Sequence, residues 1–123
     1  MGQVIAVVGA SRDRGRFSNK AVRAWRKKGW TVVPVHPKLE EIEGLKAYPR
    51  VTDIPGPVDL ANLYVPPQIG LGVLDELVAK GISRLYVNPG AGSDELMERA
   101  KELGLEAIPE CSIRAIGEDP GAY

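Results

Sequence analysis

Short, continuously apolar runs alternate along this chain with longer amphipathic stretches. Gln3-Val4-Ile5-Ala6-Val7-Val8 lacks the apolar–polar alternation of a half-buried strand, which predicts a strand covered on both faces. Ser18 to Lys28 places Ala21, Val22 and Trp25 on one helical stripe, with Arg23, Arg26 and Lys27 outside it. Ser18 or Asn19 can cap that helix and Gly29 can end it. Trp30 to Val35 reads as the second strand. Pro34 cannot donate to a ladder, so this strand is expected at an edge or bulged. Residues 36–58, with Pro37, Pro49, Pro55 and Pro57, predict a connection holding one short strand around Lys46 to Tyr48. Asp59 to Val65 is the next strand, stopped by Pro66-Pro67. A helix then runs to about Lys80, with Val73, Leu74, Leu77 and Val78 inward and Gly81 as its end. Arg84 to Val87 follows as a strand. Ser93 caps a helix with Leu96, Ala100 and Leu103 inward, Gly104 closes it, and Glu106 to Pro109 is the last strand.

Strands alternating with helices call for α/β architecture with a parallel sheet. Right-handed crossovers leave a Rossmann-like, doubly wound, five-stranded and mainly parallel sheet in three αβα layers. The length of 123 residues fits a single domain, 1–123, with little room for a second. Sixteen Lys+Arg balance sixteen Asp+Glu, so no global field holds a polyanion, and neither nucleic acid nor a membrane surface is an expected partner. One cysteine excludes an internal disulfide, and one histidine leaves too few ligands for an ordinary zinc or haem centre. Val4 to Val8 is too short to span a bilayer or form a signal-peptide core. Gly2 stands where a myristoylation site begins, but Ala6 replaces the Ser or Thr such a site wants. The cytoplasm is therefore the expected compartment, with no tail ahead of the first strand.

In a doubly wound sheet, ligands sit beyond the carboxyl ends of the strands, where the strand order reverses. The loops to inspect are Gly9 to Arg16, His36 to Lys38, Pro66 to Gln68, Asn88 to Gly92 and Glu110 to Ser112. In the first, Gly9 frees the turn, and Ala10 and Ser11 are small enough for a phosphate to approach backbone N–H groups. Arg12, Arg14 and Arg16 add cations, and the helix start near Ser18 and Asn19 adds a positive dipole end. The loop departs from G-x-G-x-x-G at the second glycine, and a plain strand-to-helix turn would also use Gly and Ser. The second strand ends in Val35-His36-Pro37-Lys38, without the carboxylate that binds a ribose 2′-OH in NAD sites. A cation there fits a ligand with an additional phosphate on its adenosine ribose: coenzyme A or NADP. Lys38 could equally be a solvated loop lysine, and His36 reads as a turn residue beside proline. Tyr64-Val65-Pro66-Pro67 forms a rigid corner able to hold a ring or an extended apolar chain. Cys111 could meet a thiol end of a ligand, or be a small, partly buried apolar residue.

Gly9-Ala10-Ser11, Ser18-Asn19, Val33-Pro34-Val35-His36-Pro37-Lys38 and Tyr64-Val65-Pro66-Pro67 together resemble the small stand-alone CoA-binding domain proteins. More remotely they resemble the nucleotide-binding first domain of the succinyl-CoA synthetase alpha subunit. The resemblance runs from about Val4 to Gly117. It implies that Gly9, Ala10, Ser11 and Arg12 take the CoA phosphates and Lys38, beside Pro37, the ribose phosphate. It also implies that Val65, Pro66 and Pro67 line the adenine or pantetheine side, with Asn88, Pro89 and Gly90 nearby. Many stand-alone relatives carry Asn or Asp, Arg, Cys near the end, where this chain has Glu110-Cys111-Ser112-Ile113. The synthetase's phosphorylated histidine belongs to a second domain, so ligase catalysis is not expected of this chain alone. The leading expectation is non-catalytic binding of coenzyme A or acyl-CoA. The alternatives are an NADP-binding module, an accessory subunit of an acyl-CoA ligase acting with a partner chain, and a pure interaction protein. A face including Ile69, Leu71 and Val73 could be core or the contact of a homo-oligomer, and a protein partner is left open.

Overall fold

The apolar run at the start of the chain forms β1 (Val4–Val8), which lies inside the sheet and is buried on both faces. The computed structural model describes residues 2–123. After β1 come α1 (Phe17–Lys27), β2 (Thr31–Val35), a hairpin of β3 (Glu41–Ile42) and β4 (Leu45–Lys46), and β5 (Leu60–Leu63). The chain continues through α2 (Pro67–Lys80), β6 (Arg84–Val87), α3 (Asp94–Glu102), β7 (Glu106–Ile108) and α4 (Ser112–Ala115). The main sheet is five-stranded and parallel, in the order β2-β1-β5-β6-β7. The chain moves outward from β1 to β2, returns to the other side of β1, and proceeds to β7. The order therefore reverses between β1 and β5, as a doubly wound sheet requires.

That reversal puts the helices on opposite faces. Ile5, Val7 and Leu60 pack with Ala21, Val22 and Trp25 of α1 and with Ile113 of α4. Ala6, Val8, Ala61 and Leu63 pack with Val73, Leu74 and Leu77 of α2 and with Leu96 and Ala100 of α3. Trp25 anchors the first layer, its ring edge-on to Trp30 at 4.9 Å between centroids. Deleting such a buried ring costs roughly 3–5 kcal/mol in comparable cores.

Several expectations are met in detail. β2 is an edge strand, and the backbone of buried Pro34 points away from β1: Thr31 donates to Gln3 on the β1 side, whereas the Pro34 carbonyl accepts from the Tyr48 N–H. The missing donor thus costs the ladder nothing, and no bulge is needed. Gly29 and Gly81 end their helices at φ 93° and 82°, and the Ser93 hydroxyl accepts from the Leu96 N–H.

Others are corrected. Neither Ser18 nor Asn19 caps α1; both lie inside it, Arg16 occupies the cap position, and no side chain fills it. The expected short strand around Lys46 to Tyr48 is met only at Lys46, the end of the β3–β4 hairpin, and Tyr48 contributes only an isolated bridge to Val35. The hairpin turn, Glu43-Gly44, has both residues at positive φ, 52° and 75°, the type I′ geometry that matches strand twist. Val78 is exposed, because Gly70, Val73, Leu74 and Leu77 complete the inward stripe of α2 without it. Among the described residues no helix is long and apolar enough to cross a membrane.

Candidate functional site

Beyond the carboxyl ends of β1, β5, β6 and β7 lies a cleft of about 340 Å³. Its walls are Gly9, the first turn of α1 (Arg16, Phe17, Ser18), Tyr64, Asn88-Pro89 and Cys111. Four strand exits and one helix start therefore converge, at the side of the sheet where the order reverses.

Gly9 is required there for two reasons. Its φ is 85°, and a Cβ would stand 2.9 Å from Val65 Cγ1 and 3.2 Å from the Tyr64 carbonyl carbon. The first exit loop thus runs against the Tyr64-Val65 backbone with no side chain between them. The N–H groups of Gly9 and Ala10 both donate to the Val35 carbonyl, at 3.1 and 3.2 Å. This stitches the β1 exit to the β2 exit, but it commits two amides expected to face a phosphate. Among the described residues, the N–H groups of Ser11, Arg12, Phe17 and Ser18 have no protein acceptor. Phe17 and Ser18 open the cleft-facing end of α1. A helix start with free amides and no side-chain cap attracts anions.

The three arginines of the loop divide. Arg12 donates through Nε to the Glu41 carbonyl at 3.0 Å, and Arg14 pairs with Glu43 at 3.5 Å. Arg16, long-paired with Asp13 at 3.9 Å and largely exposed, is the one that lines the cleft. Asn19, buried in α1, turns its amide inward. It donates to the Ser11 carbonyl at 2.8 Å and to Glu43 Oε2 at 3.0 Å, and accepts from Arg23 Nε at 2.8 Å. It thus holds the loop instead of meeting a ligand.

Lys38 is exposed on the β2 exit and does not line the cleft; Pro37 beside it is also exposed. His36 shapes that turn, its Nδ1 accepting from both Lys38 and Leu39 N–H at 3.0 Å. Val65 and Pro67 are half-buried and Pro66 is exposed, outside the cleft walls. Gly90, at φ 92°, borders a separate groove with Pro89 and Ser93. The Asn88 side chain is buried and spent: Nδ2 donates to the Leu63 carbonyl at 3.0 Å and to Asn62 Oδ1, and Oδ1 accepts from the Ser112 N–H at 2.9 Å.

In the sequence Asn62 reads only as part of a strand and Ser112 only as the end of an exit loop, not as members of the buried network that joins them. Asn62 on β5 donates to Ser112 Oγ at 2.6 Å, and Trp25 Nε1 donates to the same oxygen at 3.3 Å. A buried asparagine inside an apolar strand was the available signal. Tyr64 begins the rigid corner expected to hold a ring or an apolar chain, and its hydroxyl lies 3.4 Å from Ser112 Oγ. Burial, opposed by the Ser112 hydrogen bond and assisted by nearby Cys111, pushes its phenol up to about 12.

A family model described as CoA binding domain matches residues 3–116. The chain is 34% identical over 119 residues to the alpha subunit of ADP-forming acetate–CoA ligase II from Pyrococcus furiosus, covering 87% of this chain and 26% of that one. A conserved hypothetical protein from Pyrococcus furiosus superposes with a TM-score of 0.84 at 34% identity, over 94% of this chain and 99% of the other. The dinucleotide-forming acetyl-coenzyme A synthetase 1 of Ca. Korarchaeum cryptofilum superposes with a TM-score of 0.78 at 32% identity, covering 89% of this chain and 26% of that one. The chain thus spans about a quarter of each of the two ligase-type relatives.

Proposed function

Because this chain belongs to the CoA-binding domain family, we propose that residues 1–123 act as one binding unit for coenzyme A or an acyl-CoA, without catalysing a reaction on it. The cleft carries the proposal: an uncapped helix start with free Phe17 and Ser18 amides opens where four strand exits meet. In this reading Gly9, Ala10, Ser11 and Arg12 form the phosphate loop. Gly9 supplies close approach, Ala10 is the buried stitch to β2, and Ser11 and Arg12 supply free amides. Ser18 donates its N–H from α1, while Asn19 fixes the loop. Lys38, next to Pro37, reaches the ribose phosphate from the neighbouring exit, to which Val35 ties the loop. Val65, Pro66 and Pro67 flank the adenosine or pantetheine path, and Asn88, Pro89 and Gly90 form the opposite lip.

Among the described residues that line the cleft, no nucleophile, base and acid stand in mutual hydrogen-bond reach, the constellation a group-transfer centre needs. Relatives such as the Pyrococcus furiosus alpha subunit support a second reading, in which a ligase partner chain supplies the chemistry.

Thermal unfolding with matched concentrations of CoA, dephospho-CoA, acetyl-CoA, NADP and NAD tests the proposal. A ligand at about a hundred times its dissociation constant adds roughly 2.7 kcal/mol. CoA and acetyl-CoA are expected to stabilise most. A larger shift with NADP overturns the assignment in favour of the redox cofactor.

A further inference from the structure

The buried polar network behind the cleft has a direction that its backbone partners dictate. Asn88 must turn Oδ1 toward the Ser112 N–H, 2.9 Å away, and Nδ2 toward the Leu63 carbonyl, 3.0 Å away. Its Nδ2 also meets Asn62, so the atom received there is Asn62 Oδ1, and Asn62 Nδ2 is left to donate to Ser112 Oγ at 2.6 Å. The indole Nε1 of Trp25, a donor only, supplies a second hydrogen to the same oxygen at 3.3 Å. A serine hydroxyl accepts twice and donates once. Both acceptor sites of Ser112 are filled by donors, and the remaining polar neighbour is the Tyr64 hydroxyl at 3.4 Å. The Ser112 hydrogen therefore goes to Tyr64. Tyr64 Oη accepts, and its own hydrogen has no acceptor among the described residues.

Tyr64 lines the cleft, as do Gly9 and Cys111. We propose that Tyr64 is a ligand-binding residue, whose hydroxyl donates to an oxygen acceptor of the molecule in the cleft and makes that wall selective for acceptors over donors. The inference rests on the coenzyme A reading for the identity of that molecule. A phosphate oxygen and a carbonyl oxygen of the pantetheine or acyl group share the required chemistry. Neutral phenol persists across the physiological range, so the donor does not switch off.

Tyr64→Phe keeps the ring and deletes the donor. Calorimetric titration of wild type and Y64F with adenosine 3′,5′-bisphosphate, CoA and acetyl-CoA is expected to show about tenfold weaker binding for at least one, the loss of one net hydrogen bond. A loss shared by all three assigns the acceptor to a phosphate. A loss restricted to CoA and acetyl-CoA assigns it to the outer phosphate of the diphosphate or to the pantetheine arm, and a loss with acetyl-CoA alone to the acyl carbonyl. Tyr48→Phe, which lies outside the cleft wall, serves as the control and keeps wild-type affinity. Equal affinities of Y64F and wild type for all three ligands overturn the inference and leave the coenzyme reading intact. Failure of wild type to bind any of them overturns the coenzyme reading itself. Should Y64F not fold, ultraviolet titration of the wild-type phenols with and without CoA decides: an engaged donor ionises at higher pH, and an unchanged curve overturns the role.

Discussion

Tyr64 has two environments in one side chain. Its ring packs with the α1-side core, its hydroxyl lies against Ser112, and the residue also lines the cleft. Burial pushes the phenol up to about 12, whereas an unfolded tyrosine ionises near 10. Between these values the unfolded chain has lost a proton that the native chain keeps, so stability falls as pH rises through that window and is whole below it. Wild type is expected to lose about 2 kcal/mol more than Tyr64→Phe between pH 10 and 12, measured by urea unfolding at each pH. Parallel curves for the two proteins would show a phenol open to solvent. Gly9 illustrates the other kind of residue-scale demand, a site where both dihedral angle and space exclude a side chain. That glycine was legible, because a glycine directly after a buried strand has few other reasons to be there. Asn62 and Ser112 were not, because each meets its partner 50 positions away and alone looks like an ordinary polar residue.

At the scale of elements, periodicity carried the reading. The stripes of α1 and α3 and the apolar run of β1 emerged where they were expected, since each is set by burial of one face or two. The failures lie where short-range chemistry is ambiguous. Asn19 has the side chain of a helix cap, but the Ser11 carbonyl and Glu43 draw it inward, and α1 begins two residues earlier without it. The two-residue strands of the hairpin carry no repeat long enough to read, and Glu43 is an unusual residue for a left-handed turn. Asn19→Ala removes three hydrogen bonds that join α1, the loop after β1 and the hairpin. It is expected to cost about 1–3 kcal/mol. Amide exchange should quicken through residues 11–16 and 41–46 while the core of α1 stays protected. Uniform loss of protection across the sheet would instead place Asn19 in the global core.

For the molecule as a whole, alternation of strands and helices was enough to specify layers and the sheet edge where the strand exits meet in a cleft, because few topologies satisfy both connection rules. Which side chains reach that edge was less legible. Of three loop arginines only Arg16 lines the cleft, and Lys38 stands on the adjoining exit. The Val35 carbonyl joins the two exits, so a ligand spanning them would tie the outer strand β2 to the sheet interior. Lys38→Ala is expected to weaken CoA about tenfold, a lost charge-assisted contact, while leaving dephospho-CoA nearly unchanged in the same titration. Identical losses for both ligands would remove Lys38 from the ribose phosphate.

The turn at Glu43-Gly44 bears on all of this from outside the cleft. Glu43 holds a left-handed conformation while its carboxylate meets Asn19 and Arg14 and its carbonyl receives Arg26 at 3.2 Å. The loop after β1 is thereby braced by a buttress some thirty positions downstream in the chain. Sequence drift in that buttress can reshape the loop while every residue that lines the cleft stays the same.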